Sequence, residues 1–213
     1  MKERPIIFST EMVRAILDLK KTMTRRVIKP QPIYYEHGAW FEWERTKRDL
    51  NGTYLAVNMP NYCPYGQVGD RLWVRETWYV GRGYDNTKPS DLPIPKYSGI
   101  TIKKGYIADG SKPDWAGITR SPLFIPRWAS RIDLEITDIR VERLQKINLT
   151  NIYAEGCPLE KASVFTDPAE GYELKGQATE WFAFLWDSLN AKRGYGWETN
   201  PFVWVISFRR LQC

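Results

Sequence analysis

The sequence has little of the chemistry on which most metal centres and catalytic triads depend. Its 213 residues include one histidine, His37, and three cysteines, Cys63, Cys157 and Cys213. The cysteines are odd in number, far apart and without a CxxC spacing, which argues against a disulfide framework and against a zinc site. A Ser-His-Asp triad would have to use the single histidine, which lies in a segment that looks peripheral. We therefore expect no metal site.

Long apolar runs and the common nucleotide-binding loops are also missing from the sequence. No run is long enough to cross a membrane, and no apolar core of a signal peptide follows the N-terminal residues. The sequence contains no Walker loop, dinucleotide glycine pattern or internal repeat. We expect a cytoplasmic protein that binds no membrane and no cofactor. The sequence carries no signal for an oligomeric state.

Aromatic and basic residues are abundant instead. Aromatic residues make up 14% of the chain, with 10 tryptophans, and the net charge is +6 with a sequence pI near 9.2. Lysine and arginine neutralise phosphates, and flat rings stack on bases, so this composition suits a nucleoside, a nucleotide or single-stranded RNA as the partner. At least half of the tryptophans are nevertheless expected in the core.

Hydrophobic periodicity predicts short strands and three helices, a pattern typical of an α+β protein with a mixed or antiparallel barrel and packed helices. The clearest strands are expected at 5–8, 71–78, 132–139 and 202–208. The helices are expected at about 10–19, 148–155 and 177–190, with 159–176 as a loop. We expect a single domain over 1–213. It carries loop-rich insertions at about 31–62 and 81–122, the first with a hairpin of 36–45 and 53–58.

The predicted helix 177–190 carries one strongly apolar face. Phe182, Leu185, Trp186 and Leu189 follow the i, i+3, i+4, i+7 spacing. Aromatic residues at this spacing are far more often core than part of a ligand site. We therefore interpret this face as core packing.

Four cations and two hydroxyls fall within the seven residues from Lys20 to Arg26. If the segment is extended, its side chains divide between two faces, with 20, 22, 24 and 26 on one and 21, 23 and 25 on the other. Lys21 can then join Thr24 only if it lies at the turn before the strand. A solvated basic strand edge is the simpler interpretation, and composition alone favours it.

Several motifs together resemble one family. The segment Phe8 to Arg26, with its Lys21-Thr22-Met23-Thr24-Arg25-Arg26, is similar to the opening of ASCH domains, which belong to the PUA-like barrel superfold. The segments 68–74, 154–156 and 202–208 are similar to its later signatures. Nearly the whole chain is covered, and it looks most like the longer ASCH proteins carried by bacteriophages and prophages. Leu19 stands where a glycine is usual in the family.

The resemblance implies a PUA-like mixed or antiparallel β-barrel and a cleft that binds RNA or nucleotides. One small bacterial relative is an amidohydrolase that removes the acetyl group from the exocyclic amine of acetylated cytidine. Its active-site Lys, Thr and Glu correspond, by motif, to Lys21, Thr24 and Glu155. In chemical terms, Thr24 could attack the carbonyl, Lys21 could act as its base if burial lowers its pKa, and Glu155 could hold Lys21 or pass on a proton.

Three functions remain open at this point. The first is hydrolysis of a modified, N(4)-acylated cytidine-like nucleoside by the three residues above. The second is non-catalytic reading of RNA or a nucleotide, with arginines on phosphate and Trp78 or Trp128 stacking on a base. The third is a phage accessory protein that binds a host factor. The predicted ligand-binding residues are Thr22, Arg25, Arg26, Arg75, Glu76, Trp78, Arg127, Trp128 and Arg131.

Overall fold

The computed structural model describes residues 1–35, 40–42, 59–158 and 168–211. The strands are β1 (Glu3–Ile7), β2 (Met23–Val27), β3 (Ile33–Tyr35), β4 (Trp40–Glu42), β5 (Arg71–Arg75), β6 (Trp78–Val80), β7 (Lys104–Tyr106), β8 (Asp133–Arg143) and β9 (Phe202–Arg210). Five of them form one mixed sheet in the order β1-β5-β8-β9-β2, in which β1 runs parallel to β5 and the other pairs are antiparallel. Two small sheets, β3-β4 and β6-β7, lie outside it.

The central strand β9 shows why both faces of the sheet are covered. Trp204, Ile206 and Phe208 belong to one buried cluster, which also contains Phe8, the residue directly after β1. The alternate residues Val203 and Val205 belong to a second cluster on the opposite face, because successive side chains of a strand point to opposite sides. The alternation predicted for 202–208 is therefore confirmed.

The described residues form four α-helices: α1 (Thr10–Leu17), α2 (Pro95–Ser98), α3 (Leu149–Ala154) and α4 (Pro168–Asn190). The helix α1 contributes to the first cluster, and α3 and α4 contribute to the second. The Ser9 hydroxyl accepts from the Met12 N–H at the start of α1, as an N-cap does. Among the described residues, no helix has the length and apolarity needed to span a membrane.

The helix α4 corrects one sequence prediction. The segment 159–176 was expected to be a loop, but α4 already begins at Pro168. The glycines at 171 and 176 oppose a helix locally, since a glycine inside a helix costs about 1 kcal/mol. Proline at the first helical position and the packing of the following turns outweigh that local cost. Residues 159–167 lie outside the described part of the chain.

The α+β class is confirmed, whereas the described strands form an open mixed sheet with no closed barrel. Its two edge strands, β1 and β2, are linked by a side chain: the Arg26 guanidinium donates to the Ile7 carbonyl at 2.7 Å. Of the first insertion, the structure describes pairing of β3 with β4. Most of the hairpin expected at 36–45 and 53–58 lies outside the described residues.

Candidate active site

A tight turn after α1 positions Lys21. The helix ends with Asp18 as its C-cap, Leu19 adopts a left-handed φ of 59°, and the N–H groups of Lys20 and Lys21 both donate to the Ala15 carbonyl. This turn reverses the chain immediately before β2 begins. Lys21 therefore lies at the turn, as the sequence required if it was to join Thr24.

The end of α3 positions Glu155. The Asn148 side chain accepts from the Asn151 N–H at the start of the helix, and Glu155 is the C-cap residue. Gly156 follows with φ +94°, and a Cβ there would lie 3.0 Å from the Ala15 Cβ. A glycine suits both demands, since it tolerates the left-handed conformation and allows close approach of α1.

Lys21 and Glu155 form a buried ion pair. The Lys21 Nζ donates to the Glu155 Oε2 at 2.7 Å and to the Glu155 backbone carbonyl at 2.8 Å. Lys21 is 2% exposed and Glu155 is 4% exposed. Arg25 donates to the other carboxylate oxygen, Oε1, at 3.2 Å and also pairs with Glu142 at 3.4 Å. One carboxylate thus holds two buried cations.

Burial lowers the pKa of the Lys21 ammonium below its ordinary value. Removing a cation from water favours the neutral amine, and the carboxylate of Glu155 opposes this effect. Arg25 and Arg26 lower the pKa further through like-charge repulsion. The result is a lysine that releases its proton more readily than a lysine in water.

Thr24 and Arg26 lie on the β2 face that points towards the cluster around Phe8. Thr24 pairs with Ile206 in the sheet register, and Arg26 pairs with Trp204. The Phe8 ring centroid lies 5.1 Å from the Arg26 guanidinium and 5.8 Å from the Lys21 Nζ. Thr24 is 3% exposed, and among the described residues none forms a hydrogen bond with its hydroxyl. Within the described part of the chain, the Thr24 hydroxyl is thus left without a hydrogen-bond partner.

A cavity of about 410 Å³ opens beside edge strand β2. We call it the main cavity. Thr24 and Glu155 both line it, together with Met12 of α1, Tyr65 of the loop before β5, and one face of α4. Lys21 is not among the described lining residues and lies behind Glu155, bonded to it. The structure thus brings the three predicted catalytic residues to one place, with two of them at the cavity surface.

The polar lining of the main cavity is mostly cationic. Arg25, Arg26, Lys29 and Arg193 line it together with one carboxylate, Glu155. Arg25 is already engaged by two carboxylates, whereas Lys29 and Arg193 are exposed. The Arg193 side chain is held near the end of α4 by the Leu189 carbonyl and the Asn190 side chain. These two exposed cations are the ones available to an anion.

The apolar face of α4 is core at Phe182 and Trp186, as predicted, and it also forms a wall of this cavity. Phe182, Leu185, Trp186 and Leu189 all line the main cavity, although Phe182 and Trp186 also belong to a buried cluster. The stripe carries no signal that separates the two cases, because its spacing is the same against a core and against a cavity.

Of the nine predicted ligand-binding residues, Arg25 and Arg26 line the main cavity and the other seven do not. Thr22 is exposed, and its N–H donates to the Ala154 carbonyl at 2.8 Å. Arg75 donates to the Leu123 carbonyl at 3.0 Å. Thr22 thus links the turn to α3, and Arg75 links β5 to the loop around Leu123. A role of these residues in binding a ligand stays a prediction.

The segment 127–131 forms ion pairs within the protein. Arg127 pairs with Glu3 and Asp133, and Arg131 binds both carboxylate oxygens of buried Glu76 at 2.9 and 3.0 Å. Burial raises the pKa of Glu76, and Arg131 opposes that rise.

The two tryptophans predicted to stack on a base are also in contact with protein. Trp78 is completely buried in the cluster around β6 and β7, so its ring has no free face. The half-buried Trp128 ring centroid lies 5.5 Å from the Lys104 ammonium. Base stacking by Trp78 would require movement of the residues packed around it, and stacking by Trp128 stays a prediction.

The interpretation of 20–26 as a solvated basic edge is wrong for its key residues. Lys21, Thr24 and Arg25 are buried even though β2 is an edge strand. The edge is covered because α3 and α4 pack beside it, and the end of α3 supplies the carboxylate that pairs with the cations. Composition could not reveal this, since the pairing carboxylate lies 134 residues from Lys21 and 130 from Arg25 in the chain.

Within the described residues, no group of three or more histidine, cysteine, aspartate or glutamate side chains is arranged to hold a metal ion. Comparisons of the chain with protein-family models, with curated proteins and with solved structures found no match.

Proposed function

We propose that this protein is an ASCH-type amidohydrolase that acts on a modified, N(4)-acylated cytidine-like nucleoside or nucleotide. The observation that carries the proposal is the shared lining of the main cavity. Thr24, whose hydroxyl bonds to none of the described residues, and Glu155 both line it, and Glu155 is bonded to a buried lysine whose pKa is lowered. A nucleophile beside a proton-accepting pair is the arrangement that amide hydrolysis requires.

The proposed reaction has two halves. The Thr24 Oγ1 attacks the acyl carbon, its proton passes to the Lys21–Glu155 pair, and the C–N bond breaks as that proton is delivered to the exocyclic amine. Water then attacks the acyl–threonine ester, gives its proton to the same pair and releases the carboxylic acid. Arg25 keeps Glu155 in place by binding its second oxygen. Each proton removed from a nucleophile is returned to a leaving group.

The rest of the cavity suits a nucleoside. Its volume of about 410 Å³ falls within the range of about 300–1,000 Å³ that is common for small-molecule sites. Phe182 and Trp186 give it an aromatic wall, against which a base can pack. Lys29 and Arg193, the two exposed cations that line it, suit a phosphate group. A phosphate would extend the substrate class from nucleosides to nucleotides.

The family proposal is supported by how the motifs meet. The opening motif and the last one are paired, since Thr24 lies opposite Ile206 in the sheet. The opening motif also contacts the third one, through the bridge between Lys21 and Glu155. Motifs separated by more than 100 residues thus surround one cavity. A PUA-like barrel remains part of this proposal.

A non-catalytic reader of a nucleotide or RNA is the second candidate, and one observation favours it. Lys21 is hidden behind Glu155, so a ligand in the main cavity meets the carboxylate first. A carboxylate can accept a hydrogen bond from an exocyclic amine and thereby recognise a base without reacting. In that case the exposed cations would supply the affinity.

The test is incubation of the purified protein with acylated and unmodified nucleosides and nucleotides, with products separated by chromatography. Wild type should convert N(4)-acetylcytidine to cytidine and acetate. Thr24→Val keeps the β-branched shape and removes the hydroxyl, and it should lower the rate roughly a thousandfold or more. Thr137→Val is the matched control, because Thr137 is an exposed strand threonine that does not line the main cavity.

The outcomes separate the two candidates. Turnover by Thr24→Val at the wild-type rate would remove Thr24 as the nucleophile. If wild type turns over no member of the panel but binds nucleotides, and Glu155→Gln weakens that binding, the reader takes the place of the hydrolase.

A further inference from the structure

A second cavity of about 270 Å³ adjoins the main one. We call it the second cavity. It lies between α1 and α4, and its wall includes Ala15 and Gly156 on one side and Trp181 and Phe184 on the other. Most of this lining is apolar. Phe184 is 78% exposed, which is unusual for a phenylalanine unless its ring serves a contact.

The two cavities meet at the candidate catalytic carboxylate. Met12, Glu155 and Leu185 line both of them, so these three side chains form the partition. A ligand that reacts beside Glu155 can therefore extend in two directions. The main cavity offers cations and an aromatic wall, whereas the second offers a mainly apolar wall.

This difference matches the two halves of an acylated nucleoside. The nucleoside carries the polar groups and any phosphate, and the acyl group carries the apolar surface. The scissile amide joins the halves and would lie at Glu155, where the cavities join. An apolar cavity of roughly 150 Å³ is enough to hold a benzene ring, so the second cavity has room for more than an acetyl methyl group.

We propose that the second cavity is the acyl subsite, and that the preferred substrates carry an apolar acyl group larger than acetyl, such as butyryl, hexanoyl or benzoyl. This inference rests on the proposed function for its substrate class. The subsite lies next to the reacting group, and a longer chain removes more apolar surface from water. Each additional methylene buried should raise affinity about fourfold until the cavity is full.

The test measures binding without hydrolysis. N(4)-alkylcytidines with chains of one to six carbons contain no amide to cleave, and their dissociation constants are measured by calorimetry against wild type and variants. Wild type should gain about fourfold in affinity per methylene over the first several carbons. Phe184→Ala should lower this gain per methylene, because it removes one wall of the second cavity. Ser188→Phe, at another position lining that cavity, should abolish the gain by filling the space.

Phe124→Ala is the matched control, since Phe124 is 60% exposed and lines neither cavity. It should leave the gain per methylene at the wild-type value. An affinity that stays constant or falls as the chain grows in wild type overturns the acyl subsite, and so does a failure to bind any member of the series.

The calorimetry and the hydrolysis assay together distinguish this inference from the proposed function. If wild type cleaves N(4)-acetylcytidine but its affinity for N(4)-alkylcytidines does not depend on chain length, the proposed hydrolase is supported and the acyl subsite is refuted. If affinity rises with chain length and Phe184→Ala lowers the gain per methylene, while no acylated nucleoside is cleaved, the apolar subsite is supported and the proposed hydrolase is refuted.

Discussion

Glu155 binds the Lys21 ammonium through two of its own oxygens, one of the carboxylate at 2.7 Å and one of the backbone at 2.8 Å. The backbone contact fixes the ammonium at the end of α3, and the carboxylate contact neutralises it. The pair is therefore both a structural link between α1 and α3 and a chemical unit at the cavity. These two roles make different predictions.

The structural role predicts a large loss of stability in Glu155→Gln. The substitution leaves Lys21 and Arg25 buried without a carboxylate, and removing one partner of a buried pair costs about 3–5 kcal/mol. Urea unfolding followed by circular dichroism measures this loss. Glu142→Gln is the control, because Glu142 is a partly exposed partner of Arg25 at 3.4 Å and should cost less than about 1 kcal/mol. Equal losses in the two variants would contradict the central position of Glu155.

The chemical role predicts the pH dependence of hydrolysis. Burial lowers the pKa of Lys21 below its ordinary value of 10.5, so the neutral amine that can accept a proton is present from a lower pH. The rate of N(4)-acetylcytidine hydrolysis should therefore rise with pH and level off below 10.5. Lys21→Arg should be inactive across this range, since a guanidinium does not release its proton. A wild-type rate that is flat with pH would remove Lys21 as the base.

The hydrogen bonds to the Asp70 carboxylate predict that the stability of the fold depends on pH. Its carboxylate accepts from the Lys2 N–H at 2.7 Å and the Gln67 N–H at 3.0 Å, and these bonds, led by the one from Lys2, lower its pKa below the ordinary 3.8. A carboxylate with a lowered pKa stabilises the fold above its unfolded-state pKa, and this contribution is lost as the pH falls through the folded-state value.

The difference in unfolding free energy between wild type and Asp70→Asn should therefore be largest at neutral pH and shrink as the pH falls below about 4. Unfolding by urea at pH 7, 5, 4 and 3 measures this difference. Asp114→Asn provides the comparison, because Asp114 is exposed. A difference for Asp70→Asn that stays constant over the whole range would show that its carboxylate hydrogen bonds do not depend on its charge.

The turn before Lys21 contains a residue under backbone strain. Leu19 has a φ of 59° and is 69% exposed, so it bears the cost of a left-handed conformation without burying its side chain. Leu19→Gly should stabilise the protein by about 1 kcal/mol, since glycine adopts this conformation without the Cβ penalty. Asp18→Gly, at a φ of −78°, should destabilise it instead. Thermal unfolding of both variants measures the two signs, and a loss of stability in Leu19→Gly would refute the argument.

Local patterns in the sequence predicted most of the elements and some of the site. The alternation in 202–208 and the helix at about 148–155 depend on neighbouring residues, and the structure confirms both. The burial of Lys21 and Arg25 could not be predicted in this way, since it depends on a carboxylate brought in by the fold. The wall of α4 was also missed, because an apolar stripe has the same spacing whether it faces a core or a cavity.

The order of strands in the sheet and the residue at which α4 begins also depend on contacts that neighbouring residues cannot reveal. The sequence shows which segments are extended, but the order β1-β5-β8-β9-β2 depends on contacts between distant segments. The two glycines in α4 have a local cost that only tertiary packing can offset. Predictions that rest on a few neighbouring residues were therefore more successful than those that rest on partners across the chain.

The exposed cations of the main cavity predict a preference for nucleotides over nucleosides. Arg193 and Lys29 line the cavity, and Lys192 is exposed beside Arg193 in the sequence but does not line it. Arg193→Gln should weaken the binding of cytidine 5′-monophosphate by about tenfold, the loss of one charge-assisted hydrogen bond, and leave cytidine binding nearly unchanged. Lys192→Gln has the same change in net charge and should have almost no effect on either ligand.

Calorimetry at low and moderate salt measures both affinities. Nucleotide binding to wild type should weaken as salt rises, and this weakening should be smaller in Arg193→Gln, because fewer phosphate contacts remain to be screened. The same logic applies to single-stranded RNA, whose affinity would come largely from phosphate contacts and should fall steeply with salt. If Lys192→Gln and Arg193→Gln weaken nucleotide binding equally, the effect comes from the overall charge of the protein and not from a phosphate position at the end of the main cavity.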